Sequence, residues 1–310
     1  MRIVFFGNPD FCFYPLIKIN DSKYQLVSVV TNMDKKSGRG LNLTPSFVKK
    51  TALNLNIPII EVDDLKSKEF EKKLESLKAD LFVVVAFKFL PDSIINIPKY
   101  GSINIHPSIL PKYRGSSPIQ YALLNGDTET GVSIIHLNNK IDSGNILGQE
   151  KINIDISNNF GEMYEKLGQL SSELLIKVIN DINNNKIKSM IQDETKKSLA
   201  PKIKKKDLKI DWNNSTQNIH NKIRAFDPYP GAYSFLNGKR IKLFKSSKYN
   251  CNDDYSSNEP GELIIKDKFL LVKTNTKKMI NIGMVQLEGK NKILSSDFIK
   301  SLKDKRYVLK

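Results

Sequence analysis

The chain has 310 residues, 49 Lys and Arg against 33 Asp and Glu, a net charge of +16 and two cysteines. Its length exceeds the roughly 100–200 residues usual for one domain, so two are expected, the first the larger; no apolar run is long enough for a signal peptide or a bilayer span. Cys12 and Cys251 offer neither a disulfide framework nor zinc-ligand spacing, which predicts a cytoplasmic protein without metal, and the positive field favours polyanions such as nucleic acid over a merely solvated surface only if the charge proves localised.

In chain order, apolar runs rich in β-branched residues at 3–6, 26–30, 81–86, 103–105 and 132–135 predict strands, several apolar on both faces as covered parallel strands are. Helical periods at 10–19, 45–55, 65–77 and 118–124 fall between them. That alternation predicts an open α/β sheet with right-handed crossovers. Phe160, Met163, Leu167, Leu170, Leu174, Val178 and Ile182 keep steps of three or four and predict a helix that closes the first domain. The pattern then breaks down into a polar stretch holding Lys196, Lys197, Lys202, Lys204, Lys205, Lys206 and Lys209, the expected linker. After a short helix near 219–226, Gly/Pro/Asn turns separate brief strands at 240–244, 261–265, 269–273 and 284–287, which predicts a small β-barrel or sandwich. The expected division is 1–188, a basic linker 189–207, and 208–310.

Asn104 and His106 stand two apart in an extended segment, so they share one face, and Pro107 ends the strand because it has no N–H for the ladder. His106 thus sits at a strand's carboxyl end, where open parallel sheets place ligands. Asp142, in Ile-Asp-Ser-Gly, adds a carboxylate. These are the types that one-carbon acyl transfer to an amine asks for. The developing oxyanion needs a fixed donor, which Asn104 can supply with help from a protonated His106, and the attacking amine must shed a proton, which Asp142 beside an imidazole can accept or relay. The bland reading is that Asn104 and His106 are strand-end polar residues satisfied by backbone, and that Asp142 only starts a turn.

Other motifs are weaker. Gly38-Arg39-Gly40, with Lys35 and Lys36 nearby, reads as a phosphate-gripping loop or as a solvated turn. Gly7-Asn8-Pro9 lacks the Gly-x-Gly-x-x-Gly of a dinucleotide site. His136 and His220 are expected to be packed or solvated, and three histidines without ligand spacing argue against metal. Trp212 is expected to anchor the second domain by burial, while Arg224 suits either nucleic acid or a helix carboxyl end. Lys239, Arg240, Lys242 and Lys245, with the linker lysines, outline a phosphate track on the second domain.

The segment continues as Ser108-Ile109-Leu110-Pro111-Lys112-Tyr113-Arg114-Gly115. The run from Gly101 through Gln120 closely resembles the folate-dependent formyltransferases, whose pattern includes Asn-x-His, Ser-Leu-Leu-Pro and, on a later loop, Asp-x-Gly. Gly7 to Phe11, Gly38 to Gly40, Gly126 to Val132, Asp193-Glu194-Thr195, Ile210-Asp211-Trp212 and Arg224 to Gly231 extend the resemblance nearly end to end, to the methionyl-tRNA branch of that family. The resemblance implies a Rossmann-like formyltransferase domain with a smaller OB-like β-barrel domain, catalytic Asn104, His106 and Asp142, and a 10-formyltetrahydrofolate site lined by Ser108, Ile109, Leu110 and Pro111. It implies tRNA contact through Arg39, Lys35 and Lys36, and formyl transfer to methionine on initiator tRNA by a monomer. The chain departs from the family at Phe87-Lys88-Phe89, where Lys88 stands for a usual Gly in a loop expected to border the folate. Two rival readings remain: a formyltransferase for a small amine, glycinamide ribonucleotide or an amino-sugar nucleotide, and a non-catalytic RNA-binding relative.

Overall fold

The structure, a computed structural model, describes residues 1–37, 42–250, 255, 257–302 and 306–310. In chain order the elements are β1 (Arg2–Gly7), α1 (Phe13–Asn20), β2 (Gln25–Asn32), β3 (Lys35–Ser37), β4 (Asn42–Thr44), α2 (Phe47–Asn54), β5 (Ile59–Val62), α3 (Lys68–Ser76), β6 (Leu81–Val85), α4 (Asp92–Ile95), β7 (Ser102–His106) and α5 (Pro118–Asn125). There follow β8 (Glu129–His136), β9 (Ile146–Asn153), α6 (Phe160–Asn183), α7 (Thr216–Ala225), β10 (Ala232–Leu236), β11 (Lys239–Tyr249), β12 (Leu263–Lys266), β13 (Phe269–Lys273), β14 (Met279–Leu287), β15 (Ile293–Leu294) and α8 (Ser295–Lys300). They divide into two compact units, the first made of Met1–Ser116, Thr130–Ile152 and Tyr164–Ala200, the second of Ser117–Glu129, Asn153–Met163 and Pro201–Lys310. Among the described residues no helix is long and apolar enough to cross a membrane.

The first unit is built on a seven-stranded sheet in the order β5-β2-β1-β6-β7-β8-β9. The pairings among β5, β2, β1, β6 and β7 are parallel. β1 and β6 are buried almost throughout, as the doubly apolar runs require of strands covered on both faces. Val132 to Ile135 are buried as well, yet β8 runs antiparallel to β7. Burial on both faces reports cover, not direction. Strand order reverses between β1 and β6, the place where open α/β sheets bind ligands beyond the strands' carboxyl ends. α6 buries Leu167, Leu174, Leu175, Val178, Ile179 and Ile182, as its apolar stripe predicts. Gly168 on the same helix lies so close to α1 that an added Cβ would come 2.7 Å from Tyr14 Cδ2.

In the second unit β10-β11-β14-β13-β12 pair antiparallel, with β15 on β14. The end of the chain closes the two edges. Leu263 N donates to Tyr307 O and Leu309 N to Gly261 O on one side, while Phe235 and Lys310 exchange backbone bonds on the other. The chain end thus bridges the sheet's two edges into a small barrel. Trp212 is buried in its core with Ile219, Phe226, Leu243 and Phe298, and its indole N–H donates to Ser234 Oγ at 3.0 Å. The anchoring role expected of the lone Trp follows from that burial.

His220 on α7 is buried in this unit, with Nδ1 2.9 Å from Ser246 Oγ and Nε2 2.9 Å from Ile156 O. A carbonyl only accepts, so Nε2 carries the proton, and the Ser246 hydroxyl can serve Nδ1. Burial, reinforced by Arg224 and Lys248 and opposed by the Ile156 bond, depresses the imidazole below its ordinary 6.5. The unfolded chain therefore takes up the proton first as pH falls. The stability tied to this group is complete above the unfolded value of about 6.5 and is lost as pH drops through the folded one. A melting midpoint that falls between roughly pH 7 and 5, by less in His220→Gln, is the expected result. Equal slopes in the two proteins would remove His220 from the account.

Candidate active site

β7 delivers the first two groups. Asn104 is half-buried and His106 buried, on one face of the strand, between β6 and β8. Among the described residues the Asn104 amide takes no hydrogen bond, so its donors remain free. His106 Nε2 lies 2.9 Å from Tyr113 O, which fixes the proton of a neutral imidazole on Nε2 and leaves the Nδ1 lone pair free. Nδ1 faces Asp142 Oδ2 at 3.6 Å. That gap is too long for a direct hydrogen bond and short enough for one bridging proton donor.

Asp142 holds its place through the backbone. It stands at φ +49°, an uncommon conformation for a non-glycine residue, and Oδ2 accepts from Gly115 N at 2.8 Å. Two residues on, Gly144 leaves no room for a side chain: a Cβ would fall 1.6 Å from His136 O. The Asp-x-Gly spacing thus has a steric cause. The carboxylate comes from a loop and the imidazole from the end of β7, and Gly115 N ties the loop after β7 to the carboxylate.

Ser108, Ile109, Leu110 and Pro111 form a turn locked from behind. The Ser108 hydroxyl is fully buried and donates to Lys112 O at 2.7 Å. Ser133 Oγ donates to Ser108 O at 2.6 Å and accepts from Leu110 N at 3.0 Å, and Gln149 Nε2 donates to Leu110 O at 3.1 Å and to Ser133 Oγ at 2.8 Å. Leu110 packs with Ile135 and Ile146. Ile109 and Pro111 keep partial exposure, so a flat apolar ligand would meet these two, while Ser108 and Leu110 shape the turn.

In the Phe87-Lys88-Phe89 loop, Ala86 stands at φ +47°, Lys88 Nζ donates to Asp63 O at 3.2 Å, and Phe89 is 57% exposed. Arg39 lies outside the described residues. Lys35 and Lys36 are on β3, opposite Thr44 and Leu43 of β4, and the hairpin's root is gripped by Lys49, whose Nζ bonds Asp34 at 2.9 Å and Glu61 at 2.8 Å. In the second unit Lys239 and Lys245 are exposed and Arg240 pairs with Glu288 at 3.2 Å, but Lys242 turns to Pro230 O at 2.8 Å. Arg224 is buried, with Nη1 3.0 Å from Asp155 O and Nε 3.1 Å from Asn221 Oδ1. It serves neither nucleic acid nor its own helix end.

Periodicity passed over the residues behind the loops: Ser133 and Gln149 on β8 and β9, Arg114 and Gln192. Only Ser133, a hydroxyl between Val132 and Ile134, carries a local signal; Gln149 beside Glu150 and Gln192 beside Asp193 do not stand out from their neighbours in the chain.

Residues 1–179 match the family described as formyl transferase, and residues 202–303 match the formyl transferase C-terminal domain. A methionyl-tRNA formyltransferase of Azobacteroides pseudotrichonymphae is 40% identical over 312 residues, covering 96% of this chain and 95% of its own. One of Thermotoga neapolitana is 38% identical over 294 residues, covering 94% and 93%. Among solved structures WlaRD, a sugar 3N-formyl transferase, aligns with a TM-score of 0.67 at 25% identity over 94% of this chain and 99% of that one. With an N-terminal part and a C-terminal part both matched and relatives alike from end to end, this chain belongs to the formyl transferase family.

Proposed function

We propose that the protein transfers the formyl group of 10-formyltetrahydrofolate to the α-amino group of methionine on initiator tRNA, as a cytoplasmic monomer. The observation that carries this is the His106–Asp142 pair, held 3.6 Å apart beside an unengaged Asn104 amide, in a chain alike over its whole length to methionyl-tRNA formyltransferases. WlaRD, described in the presence of 5-N-formyl-THF, supports a folate as the formyl donor.

In this reaction the amine nitrogen bonds to the formyl carbon, the bond from that carbon to the folate nitrogen breaks, and one proton passes from the amine to the departing nitrogen. The folate supplies the formyl carbon and the methionine its amine, and the chain's side chains stabilise the oxygen and move the proton. Asn104 donates to the formyl oxygen as negative charge gathers on it, a contribution of about 100- to 1,000-fold when such a donor is fixed in advance. His106 Nδ1, its lone pair free, faces the space into which the amine proton must go, and Asp142 balances the charge that proton brings. Residues 1–188 form the catalytic part in this reading. Residues 208–310, with the exposed lysines of 189–207, Lys35, Lys36 and Arg39, hold the tRNA.

The assay is formylation of charged initiator tRNA against amino-sugar nucleotide and glycinamide ribonucleotide, as salt is raised. The tRNA reaction is expected to dominate, and its kcat/KM to fall roughly tenfold between about 50 and 200 mM salt if two or three phosphates are neutralised. The WlaRD likeness favours an amino-sugar nucleotide as the second reading; turnover of that amine alone would establish it. Light scattering of the pure protein checks the monomer.

A further inference from the structure

Residues 190–200 lie across the two loops that form the candidate site. Met190 and Ile146 exchange backbone bonds at 2.8 Å on the side of Asp142. On the side of His106, Arg114 N donates to Ser198 O at 2.9 Å, Ala200 N to Arg114 O at 2.7 Å, and Tyr113 N to Ser198 Oγ at 2.9 Å. Gln192 sits within this strap, 5% exposed. Its Nε2 donates to Asp142 O and to Gly144 O, both at 2.8 Å, and its Oε1 accepts from Arg114 Nε at 3.1 Å and Nη2 at 2.7 Å. Guanidinium has donors only, so the amide has one permitted orientation, and in it both hydrogens and the oxygen are in use. Arg114 is fixed in turn by Glu194, whose Oε1 and Oε2 lie 2.6 and 3.2 Å from Nη2 and Nη1. With every arm occupied, Arg114 is held for this brace and not for a substrate phosphate.

We propose that Gln192, oriented by Arg114, is a positioning residue that clamps the main chain on either side of Ser143 and so holds the Asp142 carboxylate toward His106. This rests on reading Asp142 as the carboxylate that balances the charge of the amine proton arriving at His106. Backbone in the positive-φ region persists only where its surroundings over-determine it, and the two carbonyls gripped by Gln192 are those of Asp142 itself and of Gly144. A carboxylate released from that grip moves relative to Nδ1, and a misplacement of about 1 Å in such a constellation costs on the order of 100-fold.

Gln192→Met keeps the length and removes both donors. Gln192→Glu keeps an acceptor for Arg114 and offers nothing to the two carbonyls. Each is measured in full-length protein, alone and in an Asp142→Asn background, by single-turnover formylation of charged tRNA, with KM for both substrates and a melting curve. The expected result is a 10- to 100-fold loss of kcat in both variants, with KM changed less than about threefold. The melting curves should still show cooperative unfolding, and the Asp142→Asn background should add little further loss, because both substitutions strike one unit. Equal losses in the two backgrounds would reduce Gln192 to a structural residue and overturn the proposal, as would turnover retained by Gln192→Met while Asp142→Asn is inactive. Turnover retained by Asp142→Asn overturns instead the reading on which the proposal rests. Should Gln192→Met fail to fold, Gln192→Glu decides by the same measurements.

Discussion

Asp142→Asn is expected to lower the rate of formyl transfer by about 100- to 10,000-fold while leaving tRNA affinity within about twofold, because what is lost is proton handling and not binding surface. The substitution is nearly isosteric, and an amide oxygen can still accept from Gly115 N, which now reaches Asp142 Oδ2 at 2.8 Å. The loop should therefore stay in place. Two things change chemically. An amide has no charge to balance a proton arriving at His106, and its oxygen, which takes the Oδ2 place between Gly115 N and Nδ1, is a far weaker base than a carboxylate. Single-turnover formylation at saturating tRNA, with a separate binding measurement, checks both halves. An undiminished rate removes Asp142 from the chemistry, and a lost affinity moves its role to binding.

The parts of the fold that were legible are those where the chain's own period decides the outcome. A two-residue period put Asn104 and His106 on one face of β7, and steps of three or four drew the buried stripe of α6. The direction of β8 was not legible, because a strand apolar on both faces reads the same either way. For Asp142 the chain offered a turn with a carboxylate. Its approach to His106 arises from Gly144 packed against His136 O and from Gly115 N on a loop 27 residues away, neither of which is a matter of period. Residues 190–200 read as featureless polar chain, since their partners are carbonyls and amides of other loops and their one central contact is an amide side chain. Charge was the least legible property. Lys242 and Lys292 count toward the net charge, yet each donates to a carbonyl of the Pro-rich turn, at Pro230 and Pro228.

Arg224 carries the largest expected effect on stability. On α7 it is 4% exposed, and besides Asp155 O and Asn221 Oδ1 its Nη1 reaches toward Ile156 O and Asn158 O at 3.4 Å each. Burial holds the guanidinium below its ordinary pKa, yet it remains charged at any pH the protein meets. Arg224→Met fills much of the same space and takes this donor from the carbonyls of Asp155 and Asn158, while Ile156 O keeps its bond from His220 Nε2. An unsatisfied buried acceptor costs about 1–3 kcal/mol, and relief from burying a charge offsets part of that, so a net loss of about 2–3 kcal/mol is expected. At about 2–4 °C per kcal/mol, the melting midpoint should fall by roughly 5–10 °C. Had the side chain met nucleic acid, the same substitution would leave the midpoint alone and reduce the salt dependence of tRNA binding by about one phosphate's worth. The two readings thus move different observables. A lower midpoint with an unchanged salt slope assigns Arg224 to the fold, and Arg224→Lys, which restores the charge but not the branched donors, should recover only part of the loss.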